Sequence, residues 1–273
     1  MSKNSPTPKY IHGYQEVEQE RLREQASVIE RPIYDFLDFS GVKELLEIGS
    51  GVGAQTEILL RRWPHLKVTG VEYESRQIAK ALKNMEALGY GEEQVTFIHQ
   101  DAKNLSLNMQ YDGAFICWVL EHIPEPEKVL HSVKPFLKPG AIISLTEVFN
   151  ATFYTYPLMP EIMEYWMLYN NYQVEIGGDP NVGARLGDLL EEAGYKDIQL
   201  RSGGFHLDSR QAEEKDKVFS YWKNLMSSGA PLLVEEGIVT PRQVLEMQLA
   251  MDKLRTMPES VFYYRFIQAT ALA

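Results

Sequence analysis

Hydrophobic positions in the central part of this chain fall into short runs separated by longer amphipathic stretches. Short apolar runs predict β-strands. They occur at residues 44–49, 67–72, 95–99, 113–117 and 141–148. Between them, apolar residues at helical spacing predict helices at 54–62, 75–88 and 126–136. Alternation of strands and helices favours a parallel sheet with helices on both faces.

Both ends of the chain depart from this alternation. A polar helix is predicted from Gln15 to Ile29, and a second, short helix from Pro32 to Phe39. After residue 148 an aromatic-rich helical segment runs to about residue 176. It is followed by a helix, a strand, two helical stretches and a last strand, predicted at 185–193, 195–201, 208–235, 241–257 and 261–272.

These elements predict one domain with four parts. The parts are an N-terminal lid with helices (1–40), a cofactor-binding core (41–148), a helical cap insertion (149–194) and C-terminal strands with a helical insertion (195–273).

The first strand of the core runs directly into a glycine-rich turn. Gly49, Gly51 and Gly53 follow the apolar run, and a helix begins at Ala54. Glycine has no Cβ, so such a turn can bring backbone N–H groups close to a ligand at a helix N-terminus. Gly49, Gly51 and Ala54 also satisfy the dinucleotide pattern G-x-G-x-x-G/A. The turn therefore predicts a nucleotide-type cofactor without deciding which one.

Acidic residues end the next two strands. Glu72 closes the second strand, Asp101 follows the third, and the run Tyr111–Pro124 contains the fourth. Together with the glycine turn, these segments resemble the class I S-adenosylmethionine-dependent methyltransferases over residues 41–148. The resemblance implies an α/β fold: a Rossmann-like, doubly wound seven-stranded sheet with helical cap insertions. Its strand order would be 3-2-1-4-5-7-6, with the last strand antiparallel.

The resemblance also implies S-adenosyl-L-methionine as the cofactor and S-adenosyl-L-homocysteine as the product. It assigns the methionine portion of the cofactor to Glu47, Gly49 and Gly51, and the ribose to Glu72. It assigns the adenine to Tyr73, Asp101 and Ala102, and the sulfonium to Cys117 or Trp118. Three of these residues have alternatives. Asp101 could cap a turn with Asn104, Trp118 could pack in the core, and Tyr73 could face solvent.

The segment Tyr10-Ile-His-Gly-Tyr14 resembles the front end of a group of small-molecule methyltransferases that includes the mercaptohistidine N-methyltransferase domain of ovothiol synthesis. In such enzymes it folds over the cofactor, so Tyr10 and Tyr14 are lid candidates here. The alternative is a strap whose tyrosines only pack on the body. His12 in this segment and His122 in Leu-Glu-His-Ile-Pro are the candidate general bases.

The aromatic segment after the fifth strand has two interpretations. Tyr154, Trp166 and Tyr169 are candidates for an acceptor pocket, since this is where class I enzymes commonly insert a cap. Ile162, Trp166 and Tyr169 also share one helical face, which is equally typical of a helix that packs on a core. The loop 177–183 that follows has no function that the sequence reveals.

Charge and composition limit the kinds of partner that we expect for this chain. The net charge of −11 argues against nucleic acid, because phosphate contacts need Lys and Arg. Apolar runs are too short to cross a membrane, no signal peptide is evident, and the single Cys117 cannot form an internal disulfide. The histidines lack metal-ligand spacing. We expect a cytoplasmic monomer or homodimer that acts on a small molecule and uses no metal.

The sequence thus predicts a methyltransferase that uses S-adenosylmethionine to methylate a nitrogen, oxygen or sulfur atom of a small molecule. Two alternatives stay open. One is an NAD(P)-dependent dehydrogenase that uses the same glycine turn, and the other is a non-catalytic domain that binds the cofactor to regulate a partner.

Overall fold

The computed structural model of this chain describes residues 11–13 and 16–273. The lid candidates Tyr10 and Tyr14 lie outside the described residues.

The strands of the described residues form one mixed sheet. They are β1 (Glu44–Ile48), β2 (Lys67–Glu72), β3 (Val95–His99), β4 (Tyr111–Cys117), β5 (Leu137–Val148), β6 (Tyr154–Tyr156), β7 (Lys196–Leu207) and β8 (Val261–Leu272). The order runs β3-β2-β1-β4-β5-β8, with β7 on the far side of β8. The first five strands are parallel, and β8 is antiparallel to both β5 and β7. The expected order and the antiparallel last strand are confirmed.

Two strand assignments differ from the sequence-based prediction. The short β6 pairs with the beginning of β8 within a segment that was predicted to be helical. The strand β7 continues to Leu207, well beyond the predicted end at residue 201, because its whole length pairs with β8.

Helices cover both faces of the sheet and build the two insertions. The described residues form α1 (Glu16–Tyr34), α2 (Ala54–Arg62), α3 (Ser75–Ala87), α4 (Pro126–Val133), α5 (Pro160–Glu175), α6 (Leu186–Glu192), α7 (Ala212–Ser228), α8 (Ala230–Glu235) and α9 (Pro241–Thr256). The prediction of two separate N-terminal helices was wrong, since α1 continues through Pro32 to Tyr34. Proline lacks an N–H group and disfavours a helix interior. Pro32 lies in the last turn of α1, so its missing N–H removes a hydrogen bond only near the end of the helix.

The core lies on both faces of the sheet. In β1, Leu45 belongs to one buried cluster, whereas Leu46 and Ile48 belong to the other, as alternating side chains of a strand require. The first cluster contains aromatic residues of α5, α7 and β8, and the second contains residues of α4 and α6. The helical insertions therefore share a core with the sheet.

Chain order reverses between β1 and β4, which are direct neighbours in the sheet. In open α/β sheets ligands bind at this switch point, outside the carboxyl ends of the strands. None of the described helices has both the length and the apolar character needed to span a lipid bilayer.

Candidate cofactor and acceptor site

A cavity of about 250 Å³ opens at the carboxyl ends of β1, β2 and β4. It brings together most of the residues that the sequence singled out. Those that line it are Gly49, Gly51, Glu72, Tyr73, Asp101, Ala102, Cys117, Trp118 and His122. Glu47, Tyr154, Trp166, Tyr169 and His12 are not part of this lining.

The glycine turn forms one wall and needs glycine for two reasons. Gly49, Gly51 and Gly53 all have positive φ angles, of 70°, 53° and 77°. A Cβ on Gly49 would lie 2.4 Å from a methyl carbon of Val119, whereas a Cβ on Gly51 would meet nothing within 4 Å. Gly49 therefore allows the turn to pack against the loop after β4, and Gly51 leaves open space beside the cavity.

Glu72 is fixed at the end of β2 by two backbone amides. Its Oε2 accepts a hydrogen bond from Gly51 N at 2.9 Å, and its Oε1 accepts one from Glu74 N at 2.8 Å. Burial raises the pKa of this carboxyl above its ordinary value. Each carboxylate oxygen keeps a second lone pair, so Glu72 can hold the turn and still accept hydrogen bonds from a ligand.

Glu47 lies beneath the turn. It is 2% exposed, and its Oε2 accepts a hydrogen bond from Thr56 Oγ1 of α2 at 2.6 Å. Burial raises its pKa to about 8. In this position Glu47 supports the junction of β1 and α2, while the backbone of Gly49 and Gly51 faces the cavity.

The segment after β3 forms the end of the cavity opposite Trp118. Asp101 Oδ1 accepts a hydrogen bond from Lys103 N at 2.9 Å, so this carboxylate caps a short turn and also lines the cavity. Tyr73 is 47% exposed, and its ring centroid lies 6.4 Å from that of His99. Tyr73 therefore offers a partly exposed aromatic face beside a polar edge.

The loop after β4 forms the other end. Trp118 has a φ of 55°, and its buried Nε1 has no hydrogen-bond partner among the described residues. The thiol of Cys117 has a raised pKa because it is buried and lies near the carboxyl groups of Glu147, Glu47 and Glu121. A thiol held protonated is a poor nucleophile, so Cys117 contributes to the wall and not to covalent chemistry.

Glu147, which was not among the residues predicted for the site, supports this loop. Its Oε1 accepts hydrogen bonds from Val119 N at 3.0 Å and Leu120 N at 2.9 Å, whereas its buried Oε2 has no partner among the described residues. Burial, followed by the nearby Glu121, raises the pKa of Glu147 to about 8. An acidic residue inside the apolar run of β5 was the available signal.

His122 lines the cavity and contacts a second acid. Its Nε2 lies 3.5 Å from Glu121 Oε1, and its side chain is 22% exposed. Gln173 of α5 donates through Nε2 to Glu121 Oε2 at 3.0 Å and to the Glu121 carbonyl at 3.2 Å. Gln173 was also missed, although a polar residue on the buried face of a helix was a signal. Through these contacts α5 is tied to the loop that carries His122.

The loop 177–183 contacts the segment that carries His122 but does not line the cavity. Asp179 N donates to the Glu121 carbonyl at 2.9 Å, and Asn150 N donates to the Pro180 carbonyl at 3.0 Å. A Cβ on Gly183 would lie 2.6 Å from the Val148 carbonyl oxygen. The loop therefore connects the segment after β4 to the end of β5, a function that its sequence did not reveal.

The aromatic candidates of the cap lie elsewhere. Tyr154 is 43% exposed on β6. Trp166 is buried, donates through Nε1 to the Asn150 carbonyl at 3.1 Å, and stacks on Tyr169 with ring centroids 5.3 Å apart. His12 contacts Tyr169, and its ring lies 6.1 Å from that of His122. The structure thus places Trp166 and Tyr169 in the packed interior behind His122.

Residues 46–143 match a family model described as a methyltransferase domain. The chain is 26% identical over 187 residues to the trans-aconitate 2-methyltransferase of Shigella dysenteriae serotype 1 (strain Sd197), which covers 67% of this chain and 69% of that protein.

Two solved structures have a similar fold. One is a Haemonchus contortus phosphoethanolamine N-methyltransferase 2 in complex with phosphomonomethylethanolamine and S-adenosylhomocysteine, with a TM-score of 0.57 and 14% identity. The match covers 94% of this chain and 56% of that one, so this chain spans little more than half of the Haemonchus enzyme. The other is a [4+2]-cyclase, with a TM-score of 0.53, 18% identity and coverage of 93% and 80%. At these identities the structural likeness shows the fold alone.

Proposed function

We propose that this chain, which is a class I S-adenosylmethionine-dependent methyltransferase, methylates a nitrogen, oxygen or sulfur atom of a small molecule. The observation that supports this most is the single cavity that joins the glycine turn and Glu72 at one side to Trp118 and His122 at the other. The methyltransferase match favours this activity over the dehydrogenase that a glycine turn alone would allow.

The residues of the cavity fit S-adenosylmethionine. We assign the ribose hydroxyls to Glu72, whose carboxylate faces the cavity between two backbone donors. The open space at Gly51 suits the methionine portion, and Tyr73 with Asp101 suits the adenine. The sulfonium supplies an electrophilic methyl group. An aromatic face such as that of Trp118 stabilises a nearby cation.

We assign the acceptor contact to His122. It lies at the Trp118 end of the cavity, and Glu121, itself held by Gln173, fixes its orientation. When the acceptor must lose a proton, His122 is the candidate to receive it. Orientation of the acceptor supplies the remaining rate enhancement, since positioning alone can lower a reaction barrier by about 7–11 kcal/mol in favourable cases.

A small acceptor is favoured because other parts of the chain cover the cavity. Leu22 of α1 lines it, and α5 is tied to its His122 end through Gln173. The net charge of −11 also makes a nucleic-acid acceptor unfavourable. The similar proteins name two unlike molecules, trans-aconitate and phosphomonomethylethanolamine. The atom that is methylated therefore has to be measured on this chain.

The cofactor assignment is tested by thermal unfolding with S-adenosylmethionine, S-adenosylhomocysteine and NAD in parallel. A ligand at 100 times its Kd stabilises by about 2.7 kcal/mol, which corresponds to a Tm increase of roughly 5–10 °C. We expect this increase with the two adenosyl compounds only, and a smaller one in Glu72→Ala. Stabilisation by NAD alone would contradict the proposal.

The acceptor is tested by S-adenosylhomocysteine formation with a panel of amines, carboxylic acids, phenols and thiols. Turnover with one class identifies the acceptor atom, and His122→Asn should then lower kcat more than it raises the Kd of the cofactor. Cofactor binding without turnover across the panel would favour the non-catalytic regulatory domain.

A further inference from the structure

His12 joins the N-terminal segment to both helical insertions. Its Nε2 lies 2.9 Å from the hydroxyl of Tyr169 on α5, and its Nδ1 lies 2.6 Å from Ser228 Oγ at the end of α7. These partners are 157 and 216 residues away in the sequence. A single side chain therefore connects three parts of the chain that are far apart in sequence.

The neighbouring hydrogen bonds favour one position for the proton on the His12 ring. Ser228 Oγ donates to the Leu225 carbonyl at 2.9 Å, and a hydroxyl has only one hydrogen to donate. With that hydrogen directed at Leu225, we assign Ser228 Oγ as the acceptor of the hydrogen bond from His12, which places the ring hydrogen on Nδ1. In a neutral imidazole Nε2 is then an acceptor, and the Tyr169 hydroxyl donates to it.

The surroundings keep this imidazole neutral. Burial, and after it the nearby Arg21 and His122, hold the pKa of His12 well below its ordinary value. A neutral ring with one donating and one accepting nitrogen matches the donor and acceptor that Tyr169 and Ser228 present.

Gly229, between α7 and α8, provides the space for this arrangement. A Cβ at this position would lie 2.8 Å from a ring carbon of Tyr169 and 3.4 Å from Ile11 Cγ1. Ile11 is 1% exposed, so the residue before His12 is buried at the same place. The joint between α7 and α8 is therefore shaped to receive Ile11 and His12 together with Tyr169.

We propose that His12 is a positioning residue and not the general base, and that the Tyr169–His12–Ser228 relay is a latch that holds residues 11–13 against α5 and α7 beside the cavity. Both ring nitrogens are engaged, so neither is available to take a proton from an acceptor. The segment leads into α1, whose Leu22 lines the cavity, and the His12 ring lies 6.1 Å from that of His122. The latch thereby keeps Leu22 of α1 at the cavity wall and the His12 ring beside His122. The kinetic part of this proposal rests on the proposed function, whereas the relay itself does not.

The relay is tested by ¹⁵N NMR of the histidine rings at pH 7 in the unliganded protein, with His12→Asn to assign the resonances. We expect His12 to be neutral with its hydrogen on Nδ1. In Ser228→Ala the resonance of Nδ1 should shift, because its hydrogen loses the hydroxyl oxygen that accepts it. A hydrogen on Nε2 in the unsubstituted protein, or a protonated ring at pH 7, would overturn the relay.

The latch is tested by the dissociation rate of S-adenosylhomocysteine, followed by tryptophan fluorescence, since Trp118 lines the cavity. Loss of one hydrogen bond should speed dissociation by about two- to tenfold in Tyr169→Phe and in Ser228→Ala. The matched controls are Tyr156→Phe on exposed β6 and Ser227→Ala, whose hydroxyl bonds Gln248 outside the relay. Unchanged rates in both relay variants would refute the latch. Failure of the unsubstituted protein to bind S-adenosylhomocysteine would instead refute the cofactor assignment, while the NMR result would still decide the relay.

Discussion

At the scale of single residues, three acids at or near the carboxyl ends of strands have different surroundings. Glu72 bonds two backbone amides at the cavity wall, Glu47 bonds a threonine beneath the turn, and Glu147 leaves one oxygen without a partner among the described residues. A buried carboxyl needs hydrogen bonds or a proton to offset its lost hydration. Their chemistry therefore follows from the number of donors each one meets.

We predict that Glu72→Ala weakens S-adenosylhomocysteine binding by roughly ten- to a hundredfold, because hydrogen bonds to a charged group contribute about 1.5–3 kcal/mol. The affinity of Glu72→Gln, which keeps one acceptor oxygen, should lie between those of the unsubstituted protein and Glu72→Ala. Calorimetric titration measures the affinities, and exposed Glu92→Ala is the control. An affinity of Glu72→Ala equal to that of the control would remove Glu72 from the ribose site.

We predict that stability falls as the pH rises from about 5 to 8. The pKa values of Glu47 and Glu147 are raised to about 8 in the folded chain, against an ordinary value of 4.5. The folded state therefore binds more protons than the unfolded state in this pH range. The stability that these two carboxyls contribute is fully present below pH 4.5 and is lost as the pH rises toward 8.

Glu147→Gln tests the sign of this effect, because an amide cannot ionise. The Tm of the variant minus the Tm of the unsubstituted protein should become more positive from pH 5 to pH 8. The change should correspond to about a few kcal/mol of unfolding free energy. Exposed Glu86→Gln should leave the difference constant. A difference that stays flat or declines in Glu147→Gln would mean that Glu147 is ionised in the folded chain.

At the scale of elements, α7 fixes the turn that leads into the last strand. Lys215 is 3% exposed, and its Nζ donates to the carbonyl oxygens of Met257, Pro258 and Ser260 at 3.0–3.1 Å. These residues connect α9 to β8. One ammonium group thus satisfies three carbonyls that belong to neither element.

We predict that Lys215→Met destabilises the chain by about 2–4 kcal/mol, because buried carbonyl groups lose their partners while the apolar stem is retained. Urea unfolding gives the value. Lys217→Met, on the same helix with a side chain 64% exposed, should change stability by less than about 0.5 kcal/mol. Equal effects of the two substitutions would show that the turn does not depend on this ammonium.

At the scale of the whole molecule, aromatic contacts join the two helical insertions to the sheet. Trp222 of α7 stacks on Phe153 with ring centroids 5.5 Å apart, and its ring centroid lies 4.4 Å from that of Tyr264 on β8. The ring centroids of Trp166 on α5 and Phe153 are 5.3 Å apart. Such pairs stabilise beyond the area that they bury. The insertions and the sheet therefore share one interior, which supports the proposal of a single domain.

We predict that the insertions and the core unfold in one transition. In a variant with Trp63→Phe and Trp118→Phe, tryptophan fluorescence reports only the insertions, and in Trp166→Phe with Trp222→Phe it reports only the core. For each variant, the urea midpoint from fluorescence should coincide with the midpoint from circular dichroism if the chain unfolds in a single two-state transition. An earlier fluorescence transition in the first variant would divide the chain into two domains.

The central alternation of strands and helices could be read from the sequence because its signals are local. The predicted bounds of α2, β2, β3 and β8 agree with the structure. Each has an apolar period, a glycine or a proline that acts within a few neighbouring residues. Propensity failed at α1, whose last turn contains a proline, and at β6, which exists only because β8 pairs with it.

The sequence by itself determined the alternation of strands and helices, the glycine turn and the acids that follow the next two strands, because these signals are local. The order of the sheet followed only from the resemblance to a known family. Only the tertiary structure decided which side chains enter the cavity. Glu72 enters and Glu47 does not, and Trp166 and Tyr169 pack behind His122. Gln173 and Ser228 gained partners from distant segments. The direction of a side chain depends on what packs against it, and those neighbours come from parts of the chain that no local pattern connects.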